Sequence, residues 1–179
     1  MNMRLRYGRD GLEVELPGGN VKHVLAQQRL PVYDDPADAV AEALGNPIGT
    51  APLAELARGR TDACIVVSDL TRPVPNAAIL PPLLETLCAA GIAAENIVIL
   101  VATGLHRANI PGELREMLGD EALASGCRIE SHMARDASGH ADLGTTERGT
   151  PALIDRRYVE ADLKILTGLV EPHLMAGYS

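Results

Sequence analysis

Apolar residues in this chain come in short continuous runs that each break off into polar residues. Residues 64–67 read Cys-Ile-Val-Val, 97–101 read Ile-Val-Ile-Leu-Val, and 163–166 read Leu-Lys-Ile-Leu. Runs of this length, rich in β-branched residues and flanked by helical stretches, predict buried parallel strands. Residues 128–131 are a candidate fourth strand. Helical patterns fill the gaps. Asp35-Pro36 can open a helix that Gly45 stops, since Asp caps and Pro suits the first helical position. Residues 50–59 repeat the logic, with Thr50 as cap and Leu53 and Leu56 on one face. The next helix is placed at 80–90, with Pro81 and Pro82 in its first turn, Leu83, Leu84 and Leu87 as its apolar stripe, and Gly91 ending it. Residues 111–119 and 120–125 are also helical.

The N-terminal stretch has a different period. Residues 3–7 and 12–16 alternate around Arg9-Asp10-Gly11, which predicts a β-hairpin. Residues 21–32 read as an extended connection, and turn signals across 139–150 predict a second hairpin. Crossovers between parallel strands are right-handed in nearly all known cases. The expectation is a three-layer, Rossmann-like α/β domain with an N-terminal β-hairpin. Its strands near 64–68, 97–101, 128–131 and 163–167 form one largely parallel sheet.

In such a sheet the ligand sits just beyond the carboxyl ends of the strands. The polar residues at those ends are therefore the candidates. The first run ends in Ser68-Asp69-Leu70-Thr71-Arg72-Pro73, the second in Ala102-Thr103-Gly104-Leu105-His106-Arg107, and the third in Thr167-Gly168-Leu169-Val170-Glu171-Pro172-His173. Arg72 offers a planar fork suited to a carboxylate. Asp69 can orient that Arg or accept from a substrate hydroxyl; the plain alternative is an Asp–Arg pair that only stiffens the turn. His106 and His173 are the side chains best suited to proton transfer near neutrality, against the plain reading of surface-loop histidines. Gly104 allows close backbone approach to a ligand. Arg107 is a solvated neighbour or a second anion contact. His132 and His140 are weaker candidates, and His23 reads as surface.

Composition narrows the picture. Across 179 residues there is no Trp and no Phe, and the formal charge is −8. The core must be aliphatic, and neither a base-stacking platform nor a basic footprint for nucleic acid is present. Cys64, Cys88 and Cys127 are odd in number and follow no metal-ligand spacing, so they read as free, largely buried thiols of a reducing, cytoplasmic setting. No stretch approaches membrane-spanning length. Walker, G-x-G-x-x-G and G-x-S-x-G patterns are absent, as is any zinc or iron ligand spacing.

The three strand-end strings in this order, with the Arg6-Tyr7-Gly8 opening and the Ala176-Gly177-Tyr178-Ser179 ending, resemble the nickel-dependent lactate racemase family over nearly the whole chain. The resemblance implies a two-domain racemase or epimerase of small 2-hydroxy acids. It implies a nicotinic-acid-derived nickel pincer nucleotide that takes a hydride from substrate C2 and returns it to the opposite face. Matching motif positions assign His106 and His173 as acid/base residues, Arg72 to the substrate carboxylate, and Asp69 to positioning. Thr103 and Gly104 are assigned to the cofactor. In the family, the Gly-Tyr-Ser segment continues into a glycine-rich stretch with the cofactor-bearing lysine, and a further histidine ligates nickel. Both fall beyond Ser179, and neither Lys22 nor Lys164 matches that lysine. Residues 1–179 are thus expected to be most of an N-terminal domain, with no metal ligand of its own, without its C-terminal domain, and inactive alone. The competing reading is a non-catalytic module that binds a small carboxylate or phosphate through Arg72, Arg107 and a helix N-terminus.

Overall fold

A computed structural model describes residues 1–25, 32–175 and 177–178. The chain divides into two units, Met1–Val32 and Tyr33–Ser179. The first holds β1 (Asn2–Leu5) and β2 (Leu12–Glu15), paired antiparallel with Leu5 opposite Leu12. Gly8 and Gly11 take positive φ in the connection, so the expected N-terminal hairpin is present. The extended connection expected at 21–32 lies partly outside the described residues.

The second unit is built on a four-stranded, wholly parallel sheet. Its strands are β3 (Ala63–Ser68), β4 (Ile97–Ala102), β5 (Arg128–Ser131) and β8 (Leu163–Leu166), in the order β5-β4-β3-β8. These are the four segments predicted. A separate antiparallel pair, β6 (His140–Thr145) and β7 (Pro151–Asp155), forms the second hairpin. The short strands β9 (Pro172–His173) and β10 (Gly177–Tyr178) pair near the end of the chain.

Alternation of side chains along β3 and β4 divides the core in two. Ala63, Ile65 and Val67, with Ile97, Ile99 and Val101, face one side and are almost fully buried. There they meet α2 (Leu53–Ala57), α3 (Asn76–Ala89), α4 (Pro111–Leu118) and α5 (Asp120–Ala124). Leu44 of α1 (Pro36–Gly45) packs against the same cluster. Cys64, Val98 and Leu100 face the other side and pack with Ala161 and with Tyr158 of α6 (Arg156–Glu160). Aliphatic residues fill both clusters, as the lack of Trp and Phe requires.

Three local expectations need correction. Asp35 does cap α1, accepting from the Ala37 amide at 2.8 Å. Thr50, however, caps nothing, because α2 begins only at Leu53, behind Pro52. Helix α3 starts four residues earlier than predicted, so Pro81 and Pro82 lie inside it. A proline inside a helix forfeits a backbone hydrogen bond. Here the buried face formed by Leu80, Pro82, Leu83, Leu84 and Leu87 outweighs that loss. Cys64 is buried, as expected, but Cys88 is exposed on α3.

Candidate active site

Each strand of the sheet hands its chain to the carboxyl-end surface, and the loop after β3 is the most tightly organised. The Arg72 amide donates to the Asp69 carbonyl at 3.1 Å, and the Val74 and Asn76 amides donate to the Arg72 and Val74 carbonyls, each at 2.8 Å. The Asp69 side chain is 8% exposed. Its Oδ1 accepts from the Thr71 amide at 3.1 Å and from the Thr71 hydroxyl at 2.6 Å. An Asp that bonds the backbone two residues on is the standard way such a turn is fixed.

The other oxygen points across the sheet. Asp69 Oδ2 lies 2.5 Å from His106 Nδ1, which joins the loop after β3 to the loop after β4. A carboxylate accepts only, so this bond places the ring hydrogen on Nδ1 and leaves Nε2 as the acceptor. The His106 ring is 59% exposed, so that nitrogen belongs to an accessible group. Burial pushes the Asp69 carboxyl up, but hydrogen bonds from Thr71 and His106 outweigh it and hold the group below its ordinary range. Asp69 is thus anionic near neutral pH, as a group that orients an imidazole must be.

The loop carrying His106 is set by two neighbours. The His106 amide donates to the Thr103 carbonyl at 2.9 Å, and Gly104 between them takes φ +55°. That left-handed conformation favours glycine. A Cβ at Gly104 would meet nothing within 4 Å, so this flank of the turn is open. Thr103 is buried, and its hydroxyl donates to the His132 carbonyl at 2.5 Å.

Arg72 and His173 are held differently from His106. Arg72 is half exposed and pairs with Glu171 at 3.7 Å, which ties the loop after β3 to the segment after β8. The proposed Asp69–Arg72 pair is replaced by this arrangement: Asp69 serves Thr71 and His106. His173, exposed in β9, accepts at Nδ1 from the Met175 amide at 3.1 Å. That bond puts the hydrogen of the neutral ring on Nε2, the opposite tautomer to His106. It must open before the His173 ring can take up a proton.

Arg107 is committed elsewhere. Its guanidinium grips Glu113 with two hydrogen bonds, at 2.6 and 2.8 Å, and Glu113 also accepts from the Ile110 amide at the start of α4. These bonds hold the Glu113 carboxyl at about 2. Arg107 therefore secures a helix entry, and an anion site built on it loses one of its cations.

A second histidine–carboxylate pair went unread in the sequence. His132 Nδ1 lies 2.8 Å from Asp155 Oδ2 at the end of β7. Arg157 holds both oxygens of Asp155, at 2.9 and 2.6 Å, and reaches Glu130 at 2.5 Å and the Ser131 carbonyl at 3.2 Å. Burial raises the Asp155 carboxyl, yet the bonds from Arg157 and His132 prevail and bring it down to about 2. The His132 ring also meets His140 edge to face, with centroids 5.0 Å apart. The available signal was His132 at the end of a predicted strand; its partner, 23 residues on, left none. Among the described residues no group of three or more His, Cys, Asp or Glu is arranged to hold a metal ion, and no helix is long and apolar enough to cross a membrane.

Comparison with known proteins gives this arrangement a context. Residues 7–179 match the family model described as the lactate racemase N-terminal domain. The chain is 35% identical over 180 residues to a lactate racemase of Thermoanaerobacterium thermosaccharolyticum, covering 99% of this chain and 42% of that protein. It is 39% identical over 142 residues to a lactate racemase of Lactiplantibacillus plantarum, covering 79% of this chain and 33% of that one. The structure of the lactate racemase apoprotein from T. thermosaccharolyticum superposes with a TM-score of 0.84 at 34% identity, covering all of this chain and 41% of the other. A Thermotoga maritima protein shares the fold alone, with a TM-score of 0.62 at 18% identity. The chain spans well under half the length of the curated relatives that it matches.

Proposed function

Since this chain belongs to the lactate racemase N-terminal domain family, we propose that it carries the acid/base and carboxylate-binding residues of a 2-hydroxy-acid racemase or epimerase. The Asp69–His106 pair at 2.5 Å carries this reading. A histidine whose Nδ1 is fixed by a buried carboxylate presents Nε2 as a base of defined direction, the arrangement that proton abstraction from a hydroxyl requires. Arg72 meets the substrate carboxylate. Its present partner Glu171 stands 3.7 Å away at an exposed position, a pairing weak enough to yield to a bidentate ligand.

Inverting one carbon requires proton transfer on either side of it. His106 serves one enantiomer. His173 serves the other once its bond from the Met175 amide opens. Asp69 stabilises the imidazolium that forms on His106, and Thr71 keeps Asp69 charged and aimed.

The family implies a nickel pincer nucleotide. Gly104, whose flank is open where a Cβ would go, would let such a group approach the backbone beside His106. When bound, the cofactor would supply the centre that accepts and returns the C2 hydrogen with its electron pair. The surrounding residues orient the substrate and move the hydroxyl proton.

The anion-binding module is the weaker reading, because Arg107 is taken by Glu113. A chiral assay of the intact protein with 2-hydroxy acids tests the proposal. Interconversion that Asp69→Asn, His106→Ala and Arg72→Ala each abolish or cripple supports it. Wild-type turnover in all three variants refutes it.

A further inference from the structure

We propose that Thr103 is a positioning residue for His106, clasping the loop after β4 to the end of β5, and that its hydroxyl does not contact a ligand. The functional importance of the clasp rests on reading His106 as the proton-transfer group. Thr103 is 2% exposed and bonded on three sides. Its amide donates to the Val101 carbonyl at 3.0 Å, its hydroxyl to the His132 carbonyl at 2.5 Å, and its own carbonyl accepts from the His106 amide at 2.9 Å. Gly104 then turns the chain at once. The backbone of His106 is thus fixed by a residue that is itself fixed to the neighbouring strand.

The acceptor is held as firmly. The His132 amide donates to the Val101 carbonyl at 2.9 Å, and the His132 ring is pinned by Asp155 at 2.8 Å. Arg157 grips Asp155 and the end of β5 together, through Glu130 and the Ser131 carbonyl. Strand β5 has four residues and lies at the sheet edge, where strand ends fray unless tied down. The contacts run from the end of β7 through His132 to Thr103 and then to His106. Asp69 fixes the imidazole ring and Thr103 fixes the backbone that bears it. A valine has the shape of threonine but no donor, so it would leave the half-buried His132 carbonyl without this bond.

Amide hydrogen exchange on Thr103→Val and Thr103→Ser tests the clasp without any cofactor. In Thr103→Val the His106 amide should exchange about tenfold faster, while Ile99 and Leu100 in the central strand keep their protection; Thr103→Ser should restore it. If Val does not yield folded protein, Thr103→Ala carries the same test. Unchanged protection at His106, or equal acceleration at Ile99 and Leu100, would overturn the proposal. In the intact protein the Val variant should slow the single-turnover oxidation chiefly of the enantiomer that depends on His106, with bound nickel unchanged. Loss of nickel alone, with His106 exchange unaltered, would make Thr103 a cofactor contact and overturn the clasp. A His106→Ala variant with both half-reactions intact would instead defeat the catalytic reading, while the exchange experiment would still decide the clasp.

Discussion

Asp69 and His106 lie in different loops, 37 residues apart in sequence, yet their side chains meet at 2.5 Å. The carboxylate divides its work: one oxygen fixes the turn through Thr71, and the other fixes the ring. An Asp69→Asn variant keeps the size of the side chain but loses the anion. It can also offer the ring an N–H, which favours the wrong tautomer. Steady-state assays of the intact protein should show kcat reduced by about 10²–10⁴-fold, the usual contribution of a positioned general base, with KM much less affected. Circular dichroism should remain close to wild type.

The two arginines after these strands should separate cleanly. Arg72→Ala should raise KM for 2-hydroxy acids by about 10- to 100-fold, as expected for a lost charge-assisted contact. Arg107→Ala should leave KM near wild type and lower the melting temperature, since Arg107 holds Glu113 at the entry to α4. Kinetics and thermal melts on both variants check this. A larger KM effect for Arg107 would restore it to the binding site.

Acid stability should report on Asp155. Its carboxyl falls from an ordinary value near 3.8 to about 2. A lowered folded value means that the stabilisation is complete above the unfolded pKa and is lost as the pH falls through the folded one. Asp155 therefore contributes roughly 2 kcal/mol at neutral pH, lost progressively between about pH 4 and pH 2. Denaturant titrations across that range should show a shallower pH dependence for Asp155→Asn, which should also be less stable at pH 7. Equal pH slopes for the two proteins would contradict the network.

The turn before His106 needs its glycine. Gly104 takes φ +55° with open space where a Cβ would go, so the cost of alanine is backbone strain and not a clash. Gly104→Ala should destabilise the chain by about 1–2 kcal/mol, and Gly104→Asn by less, because Asn tolerates the left-handed region. Chemical denaturation measures both.

Most of the fold was legible because its signals are local. Continuous β-branched runs such as 97–101 have one good solution, a strand buried on both faces, and Asp35-Pro36 fixes a helix start by its own chemistry. What failed depended on packing at a distance. Pro81 and Pro82 argue locally for a helix start, but the buried leucines around them carry α3 through the pair. For the site, the strand-end rule selected Asp69, Arg72, His106 and His173. It could not tell which carboxylate would serve which base: Asp69 is three residues from Arg72 and yet bonds His106. Arg107 beside His106 reads locally as a solvated neighbour or a second anion contact, while Glu113, six residues on, is its partner. The His132–Asp155 pair depends on where the second hairpin docks, which no local pattern specifies.

The central claim is that His106 and His173 serve opposite enantiomers of one substrate. The direct measurement is the single-turnover oxidation of pure D- and pure L-substrate by the cofactor-loaded intact protein and its His106→Ala and His173→Ala variants. Each variant should lose racemisation in both directions, yet retain oxidation of one enantiomer, a different one in each case. The affected half-reaction should fall by about 10²–10⁴-fold. Loss of the same enantiomer's oxidation in both variants would contradict the two-sided assignment.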